Sequence, residues 1–257
     1  MFELFLAEFR RSWIQFRRYP VEAIGGIVIT TSIFYGLFLS ARYIAGPGLQ
    51  LGDRLDSIII GYVLWTLVLF IMVDIAAGLQ YEAQTGTLEQ LFLSSFSATT
   101  VFLIRSLANL MLQLVLILSI LLIIMALTGS RLNFPPTLLL PLVTVLMGAY
   151  GIAFTIGSLA LLLKRVQQLL GIFQFGLLFL LATPTESWAG PLKVLGRLLP
   201  MTPGAGLLRD LMARGKSLSL DQLAIAGLNG AVYLILGLLI FRLAEREAKR
   251  RGMLSGY

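Results

Sequence analysis

Six stretches of this chain, roughly 23–41, 57–79, 103–127, 138–163, 167–183 and 222–241, run on with almost no charged residue. A bilayer core about 30 Å thick takes about 20 apolar residues in helix to cross. Within lipid every backbone N–H and C=O must be satisfied internally, which leaves only helices and closed barrels. None of the six runs alternates apolar and polar as barrel strands do, so the expected fold is an all-α integral membrane protein of six transmembrane helices. The whole chain agrees: 58% of its 257 residues are apolar and 13% charged, against about 25% charged in ordinary soluble domains. The fifth run is the shortest and stops at Thr183–Pro184.

Six crossings return both termini to one side, and both are basic. Arg10, Arg11, Arg17 and Arg18 precede the first run, Arg242, Arg246, Lys249, Arg250 and Arg251 follow the last, and Lys164 and Arg165 lie between the fourth and fifth. The positive-inside rule makes that side cytoplasmic, with eleven Lys/Arg inside against eight outside. Five of those eight, Lys193, Arg197, Arg209, Arg214 and Lys216, fall in the segment 184–221. The first run follows a basic segment without a secretory cleavage site and is expected to be a retained span. The net charge of +7 sits beside apolar runs, where it faces anionic lipid and not nucleic acid.

The absence of Cys and His excludes the usual zinc sites, Ser-His-Asp triads, thiolate nucleophiles and disulfide frameworks. Gly215-Lys216-Ser217 is not a P-loop, because the position five residues before Gly215 is Asp210. The chain reads as a non-enzyme with no cofactor of its own.

In residues 1–20, Phe2, Phe5, Leu6, Phe9, Trp13 and Phe16 recur at steps of three and four. They form one apolar stripe with Arg10, Arg11 and Arg18 off it, the pattern of an amphipathic helix in the membrane interface. It serves either as an anchor orienting the first span or as a moving element. Pro20 can open that span.

The cytoplasmic link 80–98 is the most specific stretch. Thr87 and Gln90 have capping-box spacing. Gly86 permits a sharp turn, and Leu88, Leu91 and Phe92 share one side of the short helix that would follow. With Glu82 and Glu89 it presents apolar groups and two carboxylates suited to a groove on a soluble partner.

Glu82-x-x-x-Gly86-Thr87-Leu88-Glu89-x-Leu91, between the second and third of six runs, resembles the cytoplasmic signature of ABC type-2 transporter permeases, the membrane subunits of ATP-driven exporters. The basic N-terminal segment, the six runs and Leu199-Pro200-Met201-Thr202-Pro203 with Arg209 beyond extend the likeness over nearly the whole chain. The family more often has Asn-Pro where this chain has Thr202-Pro203. The resemblance implies that Glu82, Gly86, Thr87, Leu88, Glu89, Leu91 and Phe92 couple to an ABC ATPase subunit carrying ATP and Mg, and that Pro200, Thr202, Pro203 and Arg209 belong to an outer gate. It implies residence in the cell (inner or plasma) membrane and export as the direction of transport.

Within the runs, Asp74 and Arg105 can reach similar depth on neighbouring helices, either as an ion pair tying the link to the bundle or as two side chains snorkelling separately. Arg105, Asn109 and Gln113 are spaced by four and share one helix face. That face serves either a translocation path or interhelical hydrogen bonding. Ala149, Ala153 and Gly157, with Gly148 and Gly151 beside them, form a small-residue ridge for close helix approach. The outer segment 184–221 mixes prolines, apolar residues and cations as two short helices dipping into the outer leaflet would.

The expected function is a permease subunit paired with a second copy or paralogue, because six helices enclose too little for a path alone. Its cargo is hydrophobic, lipid-like or drug-like, or else a polysaccharide, for which Tyr35, Tyr62, Trp65 and Phe70 offer stacking rings. The alternatives are an ATP-independent secondary transporter or channel, and a scaffold anchoring a cytoplasmic partner.

Overall fold

A computed structural model describes residues 2–45, 52–86, 97–163 and 167–250. Among them lie nine α-helices and two 3-10 turns, and no strand. The helices are α1 (Phe2–Arg18), α2 (Pro20–Ala45), α3 (Gly52–Gln84), α4 (Ala98–Thr128), α5 (Leu139–Leu163), α6 (Gln167–Ala182), α7 (Pro191–Leu198), α8 (Thr202–Met212) and α9 (Leu220–Arg250). Pro136–Leu138 leads into α5, and Thr185–Ser187 follows α6.

Local chemistry sets several boundaries. Pro20 is the first residue of α2, where its missing N–H costs nothing. Ser97 caps α4 by accepting from the Thr100 N–H, and Gly129, at φ 75°, ends it by donating to the Met125 carbonyl.

Five helices, α2, α3, α4, α5 and α9, are long and apolar enough to cross a membrane. The fifth apolar run falls short of that standard: α6 has 16 residues, about 24 Å of helix. Trp65 Nε1 donates to the Gln174 carbonyl at 2.9 Å, and Gly61 meets the backbone of Leu181 and Ala182. As α3 numbers rise, α6 numbers fall, so α6 runs antiparallel to α3.

α3 is the hub. It is apolar on every side, and its most hydrophobic window is 72% buried against 11% for that of α2 and 17% for that of α9. Ile59, Leu67, Ile71, Ile75 and Leu79 are fully enclosed as α4, α5, α6 and α8 pack around them. The outer helices instead expose residues such as Val28, Ile33, Val115, Leu122, Leu228 and Leu239, which need no cover where the solvent is hydrocarbon. Lipid is as apolar as leucine, so close packing and polar contacts hold such helices together.

The closest packing joins α5 and α9. Gly237 lies against the backbone of Gly151, Gly151 against Tyr233, and Gly230 against Thr144, so a Cβ at any of the three would collide with main chain. The numbers rise together along the two helices, with offsets of 82 to 87, hence they run parallel, and Phe154 and Phe241 meet edge to face at 5.2 Å farther on. The small-residue ridge divides its work: Ala149 and Ala153 are buried, Gly157 faces Ile75 and Leu79 of α3, and Gly148 faces Met201.

This packing gives the bundle two ends. The tail end gathers α1, the end of α3, the start of α4 and the end of α9, with Thr99 donating to Glu245 at 3.2 Å. The proline end gathers the start of α3, the end of α6, and α7 and α8, which occupy the segment 184–221.

Candidate functional site

At the tail end the Arg105–Asn109 face of α4 meets a matching pair on α1. Arg105 Nη1 lies 2.8 Å from Glu82 Oε1 and its Nε 3.4 Å from Glu8 Oε1. One turn along, Asn109 Nδ2 donates to Asp74 Oδ1 at 2.7 Å, while the Ser12 hydroxyl donates to Asn109 Oδ1. Two rungs therefore cross three helices, Glu8–Arg105–Glu82 and Ser12–Asn109–Asp74. They align because Glu8 and Ser12 on α1, and Arg105 and Asn109 on α4, stand four apart and share a face, while Asp74 lies eight positions, about two turns, before Glu82 on α3.

Three expectations change here. Arg105 pairs with Glu82 and Glu8, not with Asp74: Glu82 lies on the last turn of α3 opposite Arg105, whereas Asp74 lies deeper, opposite Asn109. Glu82, expected among the groups shown to a soluble partner, is 9% exposed and turned inward, so it anchors the base of the link. The α1 stripe also splits. Glu8 and Ser12 turn toward α4 with Phe5, Phe9 and Phe16 half-buried beside them, while Phe2, Leu6 and Trp13 stay exposed. By helix geometry those three form an arc bordered by Arg10 and Arg17, the apolar-and-cationic surface an interfacial helix lays on lipid.

Gly86 follows at φ 73°, a left-handed value that glycine adopts without strain. It turns the chain out of α3. Thr87, Leu88, Glu89, Leu91 and Phe92 lie outside the described residues.

Asp74, Asn109 and Gln113 line a cleft of about 400 Å³ together with Gln15, Tyr19 and Glu22. The shared polar face of α4 thus divides: Arg105 and Asn109 make interhelical bonds, and Gln113 faces the cleft. The aromatic residues weighed for stacking divide similarly. Tyr62 is buried, donates to the Thr30 carbonyl at 2.8 Å and packs between Phe34 and Trp65. Phe70 borders the cleft.

The proline end centres on Arg209 of α8, 1% exposed. Its Nη1 lies 3.0 Å from Glu186 Oε2, its Nη2 donates to the Leu181 carbonyl at the end of α6, and its Nε donates to the Ser57 carbonyl of α3 at 3.4 Å. One guanidinium thus joins α8, α6, α3 and the turn after α6, a task for which its rigid fork of donors suits it. Burial pushes the Arg209 pKa below the ordinary arginine value, with the Glu186 carboxylate acting in the opposite direction. Glu186 also takes Arg214 at 3.1 Å, and Asp210 takes Arg214 at 2.6 Å and Lys216 at 3.2 Å.

Pro200 lies in the turn between α7 and α8, and Thr202 and Pro203 open α8. Thr202 is buried and its hydroxyl donates to the carbonyls of Gly196 and Leu199, while Pro203 stands in the first turn of α8. Met201 has φ 63°, the only positive value among the described non-glycine residues, a conformation that costs about 1–2 kcal/mol. Asn229 of α9 holds it there. Its Oδ1 accepts the Met201 N–H at 3.2 Å, and its Nδ2 donates to the carbonyls of Arg197, in the last turn of α7, and of Leu199 just after it, 3.0 and 3.1 Å away. Tyr233, one turn on, donates to the Leu198 carbonyl at 2.9 Å.

Sequence reasoning missed Glu8, Glu186 and Asn229. Glu8 carried a signal, since it is a carboxylate at the edge of an apolar stripe. Asn229 carried one too, as an amide inside an otherwise apolar run. Glu186 had none, because its partner lies 23 positions away across a chain reversal.

These features define a multi-pass, all-α membrane protein with a charged joint at one end and a proline-bearing cap over buried arginine at the other. The ABC-2 type transporter family model matches residues 3–213, and the chain belongs to that family. It is an ABC transporter permease subunit, a transport component and not itself the catalytic one, from a family that works with ABC ATPase subunits. No curated protein matches the chain.

Proposed function

We propose that this chain is the permease half of an exporter, pairing with a second copy or a paralogue and driven by two ATPase subunits that bind ATP and Mg. The link 80–98 is the coupling element, with Thr87, Leu88, Glu89, Leu91 and Phe92 as the docking surface. The observation that carries this reading is the Glu8–Arg105–Glu82 rung. It fastens the base of the link to α4 and to the interfacial helix α1, so a push on the link moves three helices together. Both termini are cytoplasmic, in the cell membrane, and α6 completes a sixth crossing as a short helix. The membrane subunit is then a two-state element biased by nucleotide binding on its partner.

Pro200, Thr202, Pro203 and Arg209 form the outer gate under this reading, and Asn229 is its latch. The cargo is hydrophobic, lipid-like or drug-like, with a polysaccharide second. Tyr62 argues against the polysaccharide, being committed to packing. The chain is one transmembrane domain over 1–257, with 1–20 and 184–221 as its interfacial and outer elements.

The chain has no cysteine, which gives single-cysteine probes a clean background. Leu91→Cys should crosslink to a copurifying ATPase and should react with impermeant maleimide only after cells are opened. Labelling in sealed cells, or solute movement by the purified chain without ATP, would sink the proposal in favour of an ATP-independent transporter. Absence of both ATPase and transport would leave a scaffold.

A further inference from the structure

A cleft of about 400 Å³ opens between α7, α8 and the start of α9, lined by Lys193, Arg197, Arg214, Lys216, Leu207 and Ile225 among others. Its two acidic residues are already engaged: Glu186 takes Arg209 and Arg214, and Asp210 takes Arg214 and Lys216. Lys193 and Arg197 have no ion-pair partner among the described residues. They stand four apart on α7 and share its cleft-facing side. The cleft therefore carries excess positive charge presented by two unneutralised donors.

The remainder of α7 is apolar and uncovered. Leu192 is 55% exposed and Leu198 64%, with Val194 and Leu195 also exposed, while Gly196 seats the helix against Thr185 and Trp188. A helix that shows apolar side chains outward and cations along one edge lies in a membrane interface. A cationic cleft beside such a face suits a ligand whose anionic head enters the cleft while its chains lie along Val194 and Leu198, the exposed apolar residues that adjoin Arg197 on the helix.

We propose that this cleft binds the phosphate of an anionic phospholipid, with Lys193 and Arg197 as its ligands. Arginine supplies a planar fork and lysine a point charge, the usual pairing for phosphate oxygens. This rests on reading 184–221 as a membrane-interface segment, but not on the ATPase partner or the cargo. Its failure is thus distinguishable from failure of the exporter reading, which the Leu91→Cys crosslink tests separately.

The test is native mass spectrometry and lipid titration of the purified full chain with phosphatidylglycerol and with phosphatidylcholine of the same acyl chains. Phosphatidylglycerol should bind about tenfold more tightly, as expected of charge-assisted bonds to a net-anionic head. Lys193→Gln/Arg197→Gln should remove most of that preference with thermal stability unchanged, since both side chains are exposed. Arg242→Gln/Arg246→Gln, which removes equal charge from the other end of α9, should reduce it far less. Inorganic phosphate should compete only at concentrations far above those of the lipid. The proposal is overturned if the α7 double variant keeps the preference, if the control variant loses it equally, if the two lipids bind alike, or if inorganic phosphate binds as well as lipid.

Discussion

The two ends of this bundle solve the same problem in opposite ways. At the tail end Arg105, with an 18% exposed side chain, shares itself between carboxylates on two other helices. At the proline end Arg209, with a 1% exposed side chain, spends two of its contacts on backbone carbonyls. Side-chain partners can exchange as helices shift, because Arg105, Glu8 and Glu82 all keep part of their side-chain surface exposed. A guanidinium fixed to two main chains in a dry site cannot let go without leaving a buried charge. The tail end is built as a joint and the proline end as a rivet, with Asn229 as its removable pin.

Arg209→Met should break the rivet and give the largest effect, a loss of about 3–5 kcal/mol as Glu186 and two carbonyls lose a buried partner. Unfolding in detergent would measure it, and a change below about 1 kcal/mol would falsify the rivet. Arg209→Lys should fall between, since one ammonium cannot span three acceptors. Gly237→Val comes next. A side chain there must separate α5 from α9, at a cost of about 1–3 kcal/mol, and a double variant with Gly151→Ala should worsen it.

Asn229→Leu keeps the volume and removes the latch, stranding the Met201 N–H and the carbonyls that end α7. About 1–3 kcal/mol of stability should go, and hydrogen exchange at 197–202 should accelerate while α3 stays protected. Unchanged exchange there would show that the proline segment holds its shape unaided.

The joint should respond least in stability and most in coupling. Arg105→Gln and Glu82→Gln should each cost roughly 1 kcal/mol, with a cycle coupling energy of similar size, yet transport per ATP hydrolysed should fall. Equal losses of ATPase activity and transport would mean that the rung merely supports the fold. Glu8→Gln should be milder still, because its bond to Arg105 is the longer of the two.

Much of this comparison was legible in the chain. Hydropathy over twenty residues marked every long helix, Pro20 opened α2, and Gly86 turned where a turn was needed. The run 167–183 is the instructive shortfall: its composition is apolar to the end, but Thr183–Pro184 and the return of the chain to Arg209 stop α6 at Ala182. Helical spacing put Arg105, Asn109 and Gln113 on one face of α4, yet could not say that Glu82 and Glu8 would take the arginine and leave Asp74 to the amide.

The sequence by itself determined that this is a helical membrane protein, roughly where its long helices lie and which residues share a face, because hydropathy and the 3.6-residue period act over a few turns of chain. Only the tertiary structure decided which faces meet: that α1 turns Glu8 and Ser12 inward, that α5 and α9 touch through glycines 86 positions apart, and that Asn229 pins the bend after α7. A face carries no record of what lies opposite it. That partner is chosen by the packing of distant segments, where one well-placed donor decides which carboxylate is neutralised.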